Sequence, residues 1–249
     1  MTAKFDQFRR LHVPGNPLIL FNAWDAGSAI AAGKAGAKAI ATGSASVAAA
    51  NGFGDGEEVP MVFALANAER IVGAVELPVT VDFEGGYAAD PDQVAANCAL
   101  LAATGAIGCN FEDQMVGGEG LWPVLGQCER LKAARQAVGE AFFINARTDI
   151  FLKAKPDAHD SVAADAAIER AIAYAEAGAS GYFIPGLADL ALVERITKAS
   201  PIPVNAMWLP NGPTNSQWAG AGIARISHGP FPQMALMKTF EQMAREALA

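Results

Sequence analysis

KAGAKAIAT, residues 34–42, is the first of four similar stretches whose recurrence along the sequence indicates the fold of this chain. In each version a helical segment stops at a Gly-Ala step and an apolar run follows. Glycine commonly ends a helix, and a short apolar run with such a boundary is typical of a buried strand. The other versions are ATGAIGCNF (103–111), EAGASGYFI (176–184) and WAGAGIARI (218–226).

Four further apolar runs alternate with these stretches and raise the number of predicted strands to eight. Helical patterns fill most of the gaps, and the clearest covers residues 161–179, where Ile168, Ile172 and Ala175 recur at helical spacing. The strands are apolar runs, as expected of parallel strands covered on both sides. The four further runs are PLILFNA (17–23), PVTVDFE (78–84), AFFINART (141–148) and IPVNAMW (202–208).

Alternating strands and helices predict a parallel sheet, and eight such units in 249 residues fit a (β/α)8 TIM barrel. An open doubly wound sheet is the second interpretation, but the GxGxxG pattern expected after its first strand is absent. No linker interrupts the pattern. We therefore expect residues 1–249 to form a single α/β barrel domain.

Composition narrows the classes of function. Hydrophobic residues make up 52% of the chain and charged residues 18%, which suits a large folded core. With 18 basic and 26 acidic residues the net charge is −8, and no basic stripe is present, so we expect no nucleic-acid partner. No apolar run is as long as a membrane span, and the first residues lack the apolar core of a signal peptide. This predicts a cytoplasmic protein without a membrane partner.

The cysteines and two of the three histidines give little sign of a site. Cys98, Cys109 and Cys128 are spaced too irregularly for a disulfide framework, and no CxxC pair suggests zinc. We expect them to be buried free thiols. His12 and His159 lie in polar, loop-like surroundings and are expected to be inert.

Polar residues collect where the predicted strands end, which in such a barrel is where reacting groups lie. In VDFEGGY (81–87), the carboxylates of Asp82 and Glu84 stand at i and i+2 and so share one face of a strand. The fourth and fifth strands also end in polar pairs that share a face, Asn110 with Glu112 and Asn145 with Arg147. The other polar or aromatic residues near strand ends are Asn22, Trp24, Asp25, Thr42, Ser44, Ser46, Asp113, Asp149, Asn205 and His228.

Asp82, Glu84, Glu112 and Arg147 can therefore converge on one mouth of the barrel. Three carboxylates repel one another unless a cation or a proton lies between them. Oxygen ligands without histidine favour Mg²⁺, or Mn²⁺, over zinc. Two alternatives stay open at this point: the acids can be solvated loop residues, and Arg147 can be a structural ion-pair partner rather than a bidentate clamp for an anionic substrate.

Five motifs, taken together with their order along the chain, resemble those of the phosphoenolpyruvate mutase/isocitrate lyase superfamily. The resemblance runs from about Phe5 to Phe240. It implies the barrel predicted above. It also implies a homo-oligomer, a dimer or a dimer of dimers, in which the eighth barrel helix is exchanged between partners. The motifs are LFNAWDAGSA, ATGSASVAAANGFGD, VDFEGGY, NFEDQ and FFINARTD.

The resemblance also implies metal and catalytic roles. Asp82 would bind Mg²⁺ directly, while Glu84 and Glu112 would hold it through water. Asp55 would lie beside the substrate as a catalytic acid group. Arg147 would balance the negative charge that develops during the reaction, so that Arg147, Asp55 and Glu112 form the expected catalytic set.

Substrate contacts follow from the same resemblance. The backbone and hydroxyl groups around Ser44, Ala45 and Ser46 would bind the carboxylate of the substrate. Trp24 and Asn205 would line the pocket. Asp82 and Arg147 would complete the expected set of substrate-binding residues.

The chain departs from the family in the loop after the fourth strand. Isocitrate and methylisocitrate lyases carry K-[KR]-C-G-H there, and the cysteine acts as the acid. This loop reads QMVGGEGLWPVLG (114–126), which puts Gly120 at the position of the cysteine. The mutases and phosphonopyruvate hydrolases place a lysine and an asparagine where this chain has Gly118 and Gly120. The glycines make the loop either a candidate lid or a merely flexible connection.

The sequence thus predicts a Mg²⁺-dependent enzyme that cleaves a C–C bond in a small 2-oxo or 2-hydroxy carboxylate through an enolate-like intermediate. It resembles a 2-methylisocitrate lyase without the loop cysteine, or an oxaloacetate decarboxylase. C–P bond chemistry on phosphonopyruvate is the first alternative. The second alternative is a catalytically silent protein that binds 2-oxo acids.

Overall fold

The computed structural model describes residues 3–249. Its centre is a sheet of eight parallel strands, each of which overlaps one of the predicted runs. The strands are β1 Leu18–Leu20, β2 Ile40–Ala41, β3 Val79–Asp82, β4 Gly108–Glu112, β5 Phe143–Arg147, β6 Gly181–Phe183, β7 Val204–Met207 and β8 Arg225–Ser227. Neighbouring strands follow the order β1-β8-β7-β6-β5-β4-β3-β2.

The chain closes the gap between β1 and β2 just beyond the end of β1. Ala23 forms a parallel bridge with Thr42, and its N–H donates to the carbonyl of Ala41 at 2.8 Å. The Asn22 side chain joins the same seam to the end of β8, donating to the Thr42 carbonyl and accepting from the N–H of Gly229. The sheet is therefore a nearly closed barrel, which confirms the (β/α)8 prediction over the open sheet.

Helices occupy the connections between strands. Several begin at a residue whose side chain accepts from the first free N–H groups, as Asp25, Asp90, Asp160 and Thr214 do. The helices are α1 Ala3–Arg10, α2 Ala26–Lys34, α3 Ser44–Ala50, α4 Met61–Ala74, α5 Pro91–Ala103, α6 Val124–Val138, α7 Ile150–Lys153, α8 Ser161–Glu176, α9 Leu190–Ala199, α10 Asn215–Gly220 and α11 Phe231–Leu248, with a 3₁₀ turn at Pro156–Ala158. Within residues 3–249 no helix is long and apolar enough to cross a membrane.

The predicted inner face of α8 is wrong by one position. Ile172 is 43% exposed, whereas the buried residues are Ala164, Ala167, Ala171 and Tyr174. Both sets recur at helical spacing, so periodicity alone does not separate them. Alanine lets the helix pack closely against the barrel, and the larger isoleucines lie at the sides of the contact.

The lower, N-terminal end of the barrel is plugged by α1. Phe5 and Phe8 pack there, and the ring of His12 stacks on Phe143 with centroids 4.4 Å apart. The expectation of polar, loop-like surroundings for His12 is therefore wrong. Burial, together with the charge of Arg225, lowers the pKa of His12 to about 3, so the ring is neutral. Access to the barrel interior is left to the opposite end.

Strand register sets the polar layers of the interior. Asp82 lies opposite Asn110, and Asn110 lies opposite Asn145. One layer nearer the mouth, Glu112 lies opposite Arg147. As predicted, the i and i+2 residues of β4 and of β5 share the inner face, which stacks an amide layer beneath an ionic one.

Candidate active site

A cavity of about 180 Å³ opens at the C-terminal ends of the strands. Polar residues from three adjacent strands reach it, together with the loop that follows β2. Seven of the predicted site or strand-end residues line it: Asn22, Ser44, Ala45, Asp55, Asp82, Asn110 and Arg147. The other lining residues are Gly43, Leu152, Phe183, Pro185, Met207, Ser227, Gly229 and Pro230.

Asp82 is held from several directions. Its N–H donates to Thr42 Oγ1 at 2.9 Å, which fixes the end of β3 against the end of β2. Its Oδ2 accepts from the N–H of Ser44 at 3.1 Å and from the Ser44 hydroxyl at 3.2 Å. Its Oδ1 has only a long contact, 3.4 Å, from the Asn110 amide nitrogen. One carboxylate oxygen is thus engaged, and the other retains capacity for a further ligand.

Arg147 is fixed on two sides. Its Nε and Nη2 donate to the two oxygens of Asp149 at 2.6 and 2.9 Å, and its Nη1 lies 2.8 Å from Glu112 Oε2. Only 15% of the side chain is exposed. Burial lowers the pKa of Arg147, but Glu112 and Asp149 more than offset this, so the pKa is raised and the guanidinium stays charged. The result is a rigid cation on the cavity wall.

A second layer of contacts fixes that arrangement. Asp149 donates its N–H to Asp113, whose other oxygen accepts from Arg170 at 3.0 Å and from the Tyr174 hydroxyl at 2.8 Å. Asp113 is fully buried. The predicted strand-end acids Asp113 and Asp149 are therefore supports for Arg147 and for the loop after β4, not direct cavity residues.

Glu84 departs from the predicted geometry. β3 ends at Asp82, and Glu84 follows in a turn with φ +50°, so the two carboxylates do not share a strand face. Glu84 is only 5% exposed, and its Oε2 accepts from the Glu57 N–H at 2.7 Å. Burial and the nearby charge of Asp82 raise the pKa of Glu84 to about 8. Without a cation this carboxylate is held at a substantial electrostatic cost.

Asp55 reaches the cavity from the exposed loop after α3. Part burial of its carboxylate, with Asp82 next in importance, raises its pKa. Burial also raises the pKa of Glu112, and the paired guanidinium of Arg147 opposes that shift. The mouth thus concentrates negative charge around the ion-paired guanidinium of Arg147.

The acids of the mouth fit a hydrated divalent cation. Within residues 3–249, neither Asp55, Asp82 nor Glu84 forms an ion pair with a lysine or arginine. In the same part of the chain, no three His, Cys, Asp or Glu side chains are gathered closely enough to hold a metal by themselves. Mg²⁺ commonly keeps several waters and takes one or two carboxylates. The donor set therefore fits one direct ligand, Asp82, with water-mediated contacts to its neighbours.

Like Glu84 and Glu112, four further candidate residues do not line the cavity. Trp24 is half-buried and faces a surface groove between α2 and α11, with Leu236 on the far side. Ser46 is buried, and its hydroxyl has no hydrogen-bond partner. Asn205 lies beneath the floor, bonded to Ser227 at 3.2 Å. The ring of His228 stacks on the indole of Trp208, with ring centroids 5.2 Å apart.

The glycine-rich loop after β4 folds into a small hairpin. Gln114 and Leu121 form an antiparallel bridge, and the N–H of Trp122 donates to the Asp113 carbonyl at 2.8 Å. The Trp122 ring packs on the guanidinium of Arg130 at 4.8 Å. The loop therefore has structure of its own, with its aromatic residue anchored away from the cavity.

The cysteines are buried and free, as predicted. Cys128 lies in α6, where its thiol contacts the Ala173 carbonyl at 3.5 Å, and it does not line the cavity. Burial raises the pKa of Cys98 to about 12 and also raises the pKa of Cys109 well above its usual value. No thiol is available at the mouth in the described part of the chain.

Sequence reasoning missed two buried arginines. Arg225 is fully buried inside the barrel beneath the cavity. Arg130 on α6 donates to the carbonyls of Gly85 and Ala88 and so holds the turn that carries Glu84. A signal existed for Arg225, since it stands two residues before Ser227 on β8 and therefore shares the inner face. Nothing in the helical pattern distinguishes Arg130 from a surface residue.

Comparison with known proteins agrees with this geometry. The phosphoenolpyruvate phosphomutase family model matches residues 8–248. An uncharacterised protein of Mycobacterium tuberculosis is 33% identical over 96% of this chain and 87% of its own length. The 2-methylisocitrate lyase of Escherichia coli K12 is 31% identical over 80% of this chain and 68% of its own. 

A provisionally named phosphonomutase from Burkholderia cenocepacia J2315 is similar in structure as well as in sequence. Its crystal structure superimposes with a TM-score of 0.95 and is 49% identical, covering 98% of both chains. The match extends over the whole barrel, including the strand ends that form the cavity. The chain therefore belongs to the phosphoenolpyruvate mutase/isocitrate lyase superfamily of enzymes.

Proposed function

We propose that this protein is a Mg²⁺-dependent lyase that cleaves a C–C bond in a small 2-oxo or 2-hydroxy carboxylate. The observation that carries the proposal is the guanidinium of Arg147, held by Asp149 and Glu112 on the wall of a small cavity that also contains Asp82. Cleavage next to a carbonyl leaves an enolate-like negative charge on the substrate. A cation fixed in advance stabilises such a charge without reorganisation.

Asp82 would hold the metal directly, with Glu84 and Glu112 acting through water, and Mn²⁺ can substitute for Mg²⁺. The fit rests on the free oxygen of Asp82 and on the carboxylates of Asp55 and Glu84, which have no cationic partner within residues 3–249. When bound, the ion supplies Lewis-acid polarisation of substrate oxygens. The residues of the chain orient the substrate and balance its charge.

The substrate carboxylate would bind at the start of α3, where Ser44 and Ala45 line the cavity. Asp55 lies on the same side and would exchange a proton with the substrate, because its raised pKa suits that role. The cavity volume of about 180 Å³ admits a small acid and excludes a large one. Neither Trp24 nor Ser46 contributes to this pocket.

C–C cleavage is preferred over C–P cleavage because of what the hairpin after β4 lacks. Gly118 and Gly120 stand there, so neither the lysine and asparagine of the phosphonate enzymes nor the cysteine of the lyases is present. Decarboxylation leaves an enolate without needing that cysteine acid. The phosphonomutase name of the 49% identical Burkholderia protein makes C–P chemistry on phosphonopyruvate the second candidate.

A substrate panel tests the proposal. Purified protein with Mg²⁺ is given oxaloacetate, 2-methylisocitrate, 2,3-dimethylmalate and phosphonopyruvate, and release of CO₂, glyoxylate-type products and phosphate is followed. We expect a C–C product that disappears on chelation. Phosphate release alone would establish the C–P alternative, and tight oxalate binding without turnover of any substrate would indicate a silent binder.

Helix α11 supports a homo-oligomer in which this helix packs on a partner subunit. It buries only Pro232 and Gln233, and it exposes Met234, Phe240 and Met243 at 56%, 66% and 63%. An exposed apolar helix face of this kind is typical of a protein–protein contact. Light scattering should give a dimer or tetramer for the wild type and dissociation for Phe240→Asp. A monomeric wild type would refute the proposal.

A further inference from the structure

One cation inside the barrel takes no part in the chemistry above. Arg225, on the inner face of β8, is fully buried, and no carboxylate lies within ion-pair distance of it in residues 3–249. Burial lowers its pKa to about 9, with Asp82 opposing that shift, so the side chain is still charged at neutral pH. An uncompensated charge in a barrel interior is costly to maintain.

The contacts of Arg225 lead directly to the cavity floor. Its Nη2 donates to Asn110 Oδ1 at 3.1 Å, and its Nε donates to Ser227 Oγ at 3.2 Å. Both partners line the cavity. Its Nη1 is buried and has no hydrogen-bond partner among residues 3–249. The guanidinium therefore lies immediately beneath the residues that a bound substrate would touch.

These contacts fix which groups the floor presents. Asn110 Oδ1 accepts from both Arg225 and the Asn145 amide, so the Asn110 nitrogen is turned toward Asp82. Ser227 accepts from Arg225 and exchanges hydrogen bonds with Asn205. The side-chain oxygen of Asn110 therefore accepts from groups beneath the cavity floor, and its amide nitrogen remains available to groups at the mouth.

We propose that Arg225 is a positioning residue that sets the charge preference of the cavity: it orients Asn110 and Ser227 and adds a fixed positive charge beneath the ligand, so the site prefers a dicarboxylate to a monocarboxylate. This inference rests on the proposed function, because it concerns the acid bound at that site. A purely structural role is poorly served by a charge, since apolar residues of similar volume are often neutral or stabilising in place of buried ions.

Ligand charge separates positioning from mere packing. Oxalate and oxamate have nearly the same shape but carry two charges and one charge, respectively. Their dissociation constants are measured by calorimetry with saturating Mg²⁺ for the wild type, Arg225→Met and Arg225→Lys. The matched control is Arg135→Met, which removes a half-buried arginine that bonds Ser180 and the Phe142 carbonyl away from the cavity.

We expect Arg225→Met to lower the preference for oxalate over oxamate by roughly tenfold, because a buried charge is weakly screened. Arg225→Lys should keep most of the preference, and Arg135→Met should keep all of it even if its melting temperature falls. If Arg225→Met does not fold, Arg225→Gln replaces it as the uncharged variant.

The outcomes are distinguishable. An unchanged oxalate preference in the uncharged variant, or equal losses for both ligands, would refute the role of Arg225 and leave the proposed function intact. Failure of the wild type to bind either ligand in the presence of Mg²⁺ would refute the proposed carboxylate site and this inference together.

Discussion

Replacing Glu84 with glutamine should remove a pH dependence from the stability of the metal-free protein. Glu84 is 5% exposed, and its pKa is raised from 4.5 to about 8. Between these values the folded protein binds a proton that the unfolded chain does not, so stability is lost as the pH rises. Each pH unit costs about 1.4 kcal/mol, and half-titration near pH 8 reduces the total to roughly 2 kcal/mol between pH 6 and pH 8.

Glutamine can still accept from the Glu57 N–H through its side-chain oxygen, so the 2.7 Å hydrogen bond need not be lost. Thermal unfolding in EDTA at both pH values is the assay. A loss of roughly 2 kcal/mol corresponds to about 4–8 °C in a chain of this size. The wild type should lose that much more than Glu84→Gln between pH 6 and pH 8. Mg²⁺ should restore the wild type more at pH 8 than at pH 6, because it binds the ionised carboxylates.

The exposed hairpin residue Glu119 provides the control, since Glu119→Gln should follow the wild type at both pH values. Other acids of the mouth also have raised pKa values, so the wild-type slope alone does not isolate Glu84. The difference between variants does. An identical pH dependence in the wild type and Glu84→Gln would refute the electrostatic account of this turn.

Arg147, the buried thiols and Arg130 allow three further tests of the site. Arg147→Lys keeps the charge but loses the two-pronged contact with Asp149, so kcat/KM should fall about 100-fold or more, and a near-normal value would show that diffuse charge suffices. Iodoacetamide should leave activity intact under native conditions because all three thiols are buried, whereas rapid inactivation that substrate prevents would place a thiol in the site. Arg130→Met leaves the carbonyls of Gly85 and Ala88 without their donor, so the free energy of unfolding should fall by about 3 kcal/mol. The affinity for Mg²⁺ should fall as well, because the turn carries Glu84. An unchanged Mg²⁺ affinity would show that the turn positions Glu84 without Arg130.

The sequence predicted the barrel well because the signals for it are local. A glycine that ends a helix and an apolar run that follows it are both visible in stretches such as KAGAKAIAT. The convergence of Asp82, Glu112 and Arg147 follows from the same topology, since parallel strands all end at one edge. Asp55 came only from the family resemblance.

The errors arise where a rule of local geometry stops applying. Glu84 was placed beside Asp82 by strand alternation, but the strand ends at Asp82 and the chain turns. Trp24 follows a strand end, yet the next residue caps α2, and this carries the indole out to the surface groove. Arg225 was hidden in a run read as apolar, because its partners Asn110 and Ser227 are brought to it only by the closed barrel.

We propose that the mouth binds a divalent cation through Asp82 together with a carboxylate ligand. Electron paramagnetic resonance of Mn²⁺ tests it without depending on turnover: the free-ion signal is titrated with wild-type protein and with Asp82→Asn, each with and without oxalate. We expect the wild type to remove the free Mn²⁺ signal and oxalate to tighten this binding, whereas Asp82→Asn should lose both effects while remaining folded. Equal Mn²⁺ binding by the wild type and Asp82→Asn would show that Asp82 is not a ligand of the cation.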